Sequence, residues 1–146
     1  MSVQVRFIDA ADALYAEARE VRYEALYAER GLPRSLVDDE TPEEFAHLVA
    51  VADERVVGYA RLRLADGDSK ILQVCVVPEA RGRGIARMMI AALEQLAYRE
   101  GRAGVYLDAR EHVVALYRGL GYAPVGERFI SPRTGTPHQQ MRKRLG

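Results

Sequence analysis

Cysteine is nearly absent from this sequence and tryptophan is missing altogether: Cys75 stands alone in 146 residues. One cysteine excludes an internal disulfide framework and fits a reducing compartment. There is no excess charge of either sign, since 21 basic residues balance 21 acidic ones. That balance argues against a dedicated nucleic-acid binder, which needs a basic surplus to displace counterions. It leaves room for a local cluster that binds a small polyanion. No apolar run approaches the ~20 residues a membrane-spanning helix requires. Met1-Ser2-Val3-Gln4-Val5-Arg6 shows no apolar core of a secretory signal. The three histidines and the cysteine lack metal-ligand spacing, so no metal is expected. The expectation is a cytoplasmic protein without nucleic-acid or membrane partners.

What is present reads as one mixed α/β domain over residues 1–146, with no internal repeat or linker. Val3 to Ile8 alternates as a strand, and Asp9 is placed to cap a helix carrying Leu14, Ala18, Val21 and Ala25 on one face. Asp38-Asp39-Glu40 reads as a solvated acidic loop. Thr41-Pro42-Glu43-Glu44 has the pattern of a capping box opening a short helical turn. His47–Val51 and Val56–Leu64 come next as a hairpin, and Ile71–Val77 as a central strand covered on both faces. Ile85, Met88, Met89, Ala92, Leu93 and Leu96 form the clearest helical stripe, with both methionines expected in the core. Val105–Ala109, a helix with Val113, Val114, Leu116, Tyr117 and Leu120 capped near Asp108, and strands at Tyr122–Ile130 and His138–Leu145 complete the chain.

The chemistry concentrates between strand and helix, at Val74-Cys75-Val76-Val77-Pro78-Glu79-Ala80-Arg81-Gly82-Arg83-Gly84-Ile85-Ala86. Pro78 ends the strand because it has no N–H for the ladder. The first turn of the next helix offers unpaired N–H groups and the positive end of the dipole, a natural seat for phosphate. Gly82 and Gly84 remove side chains where a pyrophosphate must approach the backbone. Arg81, Arg83 and Arg87 add positive charge. A P-loop is excluded because Ile85, not lysine, comes after Gly84. A dinucleotide fingerprint is excluded because Arg87 stands where its third small residue belongs.

In this context Arg81-x-x-Gly84-x-Ala86 resembles the pyrophosphate loop of the GNAT N-acetyltransferases, whose pattern is Gln/Arg-x-x-Gly-x-Gly/Ala. Ala115-Leu116-Tyr117-Arg118-Gly119-Leu120-Gly121-Tyr122 resembles the second signature of that family, at the usual spacing. Val21-Arg22-Tyr23-Glu24, Glu29, Pro33, Asp38/Asp39, His47 and Gly135-Thr136-Pro137-His138-x-x-Met141 resemble its small bacterial ElaA-like branch. The likeness spans essentially the whole chain. It implies an acyl-CoA N-acyltransferase fold with a central mixed sheet of about six to seven strands and about four helices.

The resemblance also implies acetyl-CoA as co-substrate. Val74, Cys75 and Val76 would pair with the pantetheine arm, and main-chain N–H groups among Arg81, Gly82, Arg83, Gly84, Ile85, Ala86 and Arg87 would hold the pyrophosphate. Tyr117 matches the general acid for the leaving thiolate. Its rival role is a core tyrosine with a hydrogen-bonded hydroxyl, and Cys75 reads as a small buried hydrophobe rather than a nucleophile. No base stands out among Glu29, Asp38, Asp39, Glu44, His47 and His138. Glu29 and His138 rank first, beside a water relay. An asparagine common in the wider family before the tyrosine helix is missing from Asp108-Ala109-Arg110-Glu111-His112. The expected partner is a small-molecule amine or a protein amine, and the resemblance allows for a homodimer. A noncatalytic acyl-CoA-binding regulatory module is the alternative function.

Overall fold

The structure, a computed structural model, describes residues 1–146. Eight strands form one sheet: β1 (Gln4–Ile8), β2 (Phe45–Ala52), β3 (Arg55–Arg63), β4 (Ser69–Val76), β5 (Gly104–Arg110), β6 (Ala123–Pro124), β7 (Phe129–Ile130) and β8 (Pro137–Arg144). Their spatial order is β1-β2-β3-β4-β5-β8-β6, with β7 also paired to β8. Every pairing is antiparallel except β4 with β5, which run parallel.

Three α-helices pack on this sheet: α1 (Leu14–Leu26), α2 (Ile85–Arg99) and α3 (Val114–Gly119). Helix α2 lies over the larger core, a cluster of 19 buried residues that includes Leu48, Leu62, Met89, Leu93, Leu107 and Met141. Helix α1 covers the opposite face, where Ala18 meets Ile8, Val49, Val56, Tyr59 and Cys75. The sheet is therefore sandwiched only where both helices reach it, over β3 and β4. That burial on two faces explains the continuous apolar run of β4.

Several sequence expectations shift in detail. Helix α1 starts later than a cap at Asp9 implies: Asp9 accepts from Ala11 N–H, and Asp12 takes Leu14 N–H at 2.9 Å. The helical turn after Thr41 is a three-residue 3-10 turn, Pro42–Glu44, with no capping bond from Thr41. Phe45 enters β2 at once, so the turn is too short for a reciprocal box. The expected fourth helix is thus reduced to 3-10 turns. Strand β5 runs on through Asp108 to Arg110, because Val105, Leu107 and Ala109 keep alternating into the core. Asp108 therefore caps nothing, and α3 begins only at Val114. The single strand expected at Tyr122–Ile130 is split into β6 and β7 around Gly126 at φ +71°. Met89 is fully buried as expected, but Met88 is exposed on the outer side of α2.

Candidate functional site

The fold opens at one place. Strands β4 and β5 pair only at Ser69/Val105 and Lys70/Tyr106, then diverge. From Leu72 onward β4 keeps a neighbour on the β3 side alone. Val77 N–H donates to Val57 C=O at 2.9 Å, which makes the opposed residues Gly58 and Val76 a non-hydrogen-bonded pair. The N–H and C=O of Val76 therefore point away from β3 into the opening, and by alternation so do those of Val74. Cys75 faces the other way: its backbone belongs to the β3 ladder and its thiol is buried under α1. Burial pushes that thiol up to about 12, so it stays protonated and unreactive.

At the head of the opening, Pro78–Ala80 forms a 3-10 turn and Arg81 leads into the glycine loop. Gly82 and Gly84 both adopt φ +77°, a region costly for any residue with a Cβ. Six successive main-chain N–H groups, Gly82 through Arg87, find no partner within the fold; the first helical bond of this segment runs from Met88 N–H to Gly84 C=O. Space around both glycines is open. Ile85 and Ala86 start α2, and Ile85 is anchored in the core, which fixes this nest of donors against the sheet. Arg81 folds back so that its Nε donates to Val76 C=O at 3.1 Å. Arg83 and Arg87 are both exposed, where their charge reinforces the positive end of the dipole.

Tyr117 descends from α3 with its ring in the larger core, edge-on to Tyr122 at 5.6 Å between centroids. Only 7% of the residue is exposed, and burial pushes its phenol up to about 12. The hydroxyl has no protein partner, yet it is not among the sealed, unsatisfied polar atoms. The ring is thus part of the core while the hydroxyl is tethered by no protein hydrogen bond.

The substrate-side candidates separate clearly. Glu29 lies exposed in the 3-10 turn Ala28–Arg30 with no ion pair. His138 starts β8 opposite Arg110 of β5, stacks near Phe129 at 5.9 Å, and bonds through Nδ1 to Thr136 C=O at 3.0 Å. Its Nε2 is left free. His47, by contrast, is in the core: Nε2 meets Pro42 C=O at 2.8 Å and Nδ1 meets Tyr59 hydroxyl at 2.5 Å. The carbonyl can only accept, so Nε2 carries the proton, and burial lowers the pKa of the ring. Asp38 pairs with Arg19 at the surface.

The acidic loop holds the principal surprise. Asp39 is not solvated but sits beneath α1, gripped by Arg22 at 2.9 and 2.8 Å, by Arg61 at 2.8 Å and by the Tyr15 hydroxyl. Burial alone would raise its carboxyl; the bonds from Arg22, Tyr15 and Arg61 outweigh that and hold it well below the usual carboxylate range. Arg22, fully buried, sends its Nε to Gln73 Oε1 at 2.8 Å. A signal for this lay in the sequence: Arg22 falls four residues after Ala18, on the apolar stripe, where a charge requires a buried partner. Two surface depressions, between α1 and Arg34–Asp38 and beside α2 at Met88 and Tyr98, lie away from the opening.

A splayed pair of strands headed by a glycine nest is a specific arrangement, and comparison decides its family. The model of the acetyltransferase (GNAT) domain matches residues 12–145. The chain belongs to the GNAT family. The uncharacterized N-acetyltransferase YjcF of Bacillus subtilis (strain 168) is 34% identical over 133 residues, covering 90% of each chain. An acyl-CoA N-acyltransferase from Pseudomonas aeruginosa superposes with a TM-score of 0.82 at 28% identity, over 97% of this chain and 99% of that one. Escherichia coli ElaA superposes with a TM-score of 0.81 at 21% identity, over 97% and 99%. The mixed sheet is thus the GNAT acyltransferase fold, as the two motifs implied. It has eight strands and three α-helices where about six to seven strands and about four helices were expected.

Proposed function

We propose that this chain is an acetyl-CoA-dependent N-acetyltransferase that moves the acetyl group directly to a primary amine within a ternary complex. The observation that carries this reading is the run of unpaired N–H groups from Gly82 to Arg87 at the head of the unpaired edge of β4. A diphosphate satisfies the first, and an extended amide-containing arm satisfies the second, much as an added strand would.

With the pyrophosphate on the nest and the pantetheine along Val74–Val76, the thioester carbonyl comes to lie against the inward N–H groups of that edge. Attack by the neutral amine forms the C–N bond and drives the carbonyl electrons onto oxygen, where such a donor is worth about 3 kcal/mol. Collapse breaks the C–S bond, and the thiolate takes the proton of Tyr117. Burial disfavours the resulting phenolate, so the tyrosine promptly regains a proton, balanced by the one that the acylated nitrogen sheds on becoming an amide. Glu29, His138 or water takes the proton released by the acceptor ammonium. Polarisation of the carbonyl by main-chain N–H groups lets chemistry of this kind proceed without a metal.

The acceptor class includes polyamines, amino acids, aminoglycosides, drug-like amines and protein amines, because a shared fold hosts many acceptors. An acceptor screen that tracks thiol release from acetyl-CoA tests the reading. Amine-dependent release with N-acetylated product is expected. Absence of acetyl-CoA binding by calorimetry would overturn it.

A further inference from the structure

Gln73 is an anomaly in the middle of β4. It holds φ +55°, a left-handed conformation outside a turn and without glycine. The register explains where the extra residue goes: Leu72 faces Arg61 and Cys75 faces Tyr59, so Gln73 and Val74 together stand opposite Ala60. This is a bulge, and bulges bend a strand and re-aim the residues beyond them. Here those residues are the Val74–Val76 edge at the mouth of the opening. A strained non-glycine residue persists only where its surroundings hold it. The hold is visible. The Gln73 carboxamide accepts from Arg22 Nε at 2.8 Å and donates to Tyr27 hydroxyl at 3.4 Å. Arg22 is itself fixed by the two-bond grip on Asp39, which Arg61 also joins at 2.8 Å.

We infer that Arg22 and Gln73 are positioning residues for acetyl transfer: the buried Asp39–Arg22 pair clamps the Gln73 side chain, and the clamp fixes the bulge that aims the Val74 and Val76 N–H groups at the thioester carbonyl. The inference rests on the proposed function. It assigns a task to residues whose side chains bond to each other, Asp39 and Tyr27 and not to the nest. An alternative duty, stability alone, does not require Arg22 to commit its Nε to a strained residue of the cofactor strand. The clamp also ties the segment Arg34–Asp39, packed along α1 from Tyr15 to Arg22, to the reacting strand.

The test compares wild type with Gln73→Glu, Gln73→Gly and Gln73→Ala, using acetyl-CoA labelled with carbon-13 at the carbonyl. Calorimetry reads affinity, and infrared difference spectra read the carbonyl stretch of the bound thioester, so no acceptor is needed. Glutamate preserves an acceptor for Arg22, glycine accepts the positive φ but removes the clamp, and alanine removes both. Bound wild type is expected to show a stretch lowered from that of free acetyl-CoA. Gln73→Glu keeps that shift, whereas Gln73→Gly and Gln73→Ala lose most of it while affinity changes less than about threefold, because the pyrophosphate nest is untouched. A wild-type shift retained in Gln73→Gly overturns the clamp, since the backbone angle alone would then suffice. A shift retained in all variants, or missing in wild type that binds the thioester, overturns it equally. Failure of wild type to bind acetyl-CoA at all sinks the functional reading instead, which keeps the two failures apart.

Discussion

Tyr117 joins a ring committed to the core with a hydroxyl left without a protein partner. Tyr117→Phe keeps nearly all of the packing and removes only the proton. It is expected to lower kcat by about 10²–10⁴-fold, the usual range for a positioned acid. Affinity for acetyl-CoA should stay unchanged by calorimetry. A regulatory module that merely holds acyl-CoA would lose nothing measurable, so the same substitution separates the two functions that the sequence allows. Cys75 illustrates the opposite case: burial holds its thiol at about 12, and its contribution is through backbone and bulk. Arg22 on the apolar stripe signals a buried anion in the sequence but not which one, because an acidic triplet before a Thr-Pro turn has the composition of solvent-exposed loop. Only the return of Arg22 and Arg61 beneath α1 turns Asp39 into a buried anion.

At the scale of elements, the loop from Val77 to Gly84 with α2 behind it was legible almost completely. Proline ending a strand, two glycines and an apolar helical stripe all act within a few residues of each other. The splay of β4 from β5 was not legible in residue pattern, since both strands alternate or run apolar right through it. Only the resemblance to the family pointed to it, by assigning Val74–Val76 to the pantetheine arm. Helix α3 and the β6–β7 segment were misplaced at their ends, because alternation in β5 overrode a plausible cap at Asp108. Gly84 gives this scale its prediction. Gly84→Val forces a β-branched side chain to φ +77°, into the path of the phosphates. Affinity for acetyl-CoA should fall at least tenfold by calorimetry, about 1.4 kcal/mol. The far-ultraviolet circular dichroism should stay close to wild type, since α2 is anchored downstream by Met89, Ile90 and Leu93.

For the whole molecule, the buried Asp39 cluster links α1 to β3 and β4. Asp39→Asn leaves two arginines buried without their anion and is expected to cost about 3 kcal/mol, read as a lowered urea midpoint. The sign of the pH dependence comes from the direction of its shift. The carboxyl is depressed in the fold and ordinary, near about 4, in the unfolded chain. Its stabilisation is therefore complete above about pH 4 and drains away as pH falls below that. Chemical unfolding across pH 2 to 6 should show this loss in wild type and a flatter profile in Asp39→Asn. No helix is long and apolar enough to cross a membrane.

The two-residue seam between β4 and β5 has a mechanical meaning. One wing, β1 to β4 with α1, and the other, β5 to β8 with α3, are joined by that seam and by α2 lying across both. A thioester arm laid into the gap acts as mortar between the wings. Amide hydrogen exchange should register this: Val74 and Val76 exchange quickly in the empty protein and slow sharply once acetyl-CoA is added, with slowing also along β5. Uniform exchange with and without the thioester would mean that the wings are already locked.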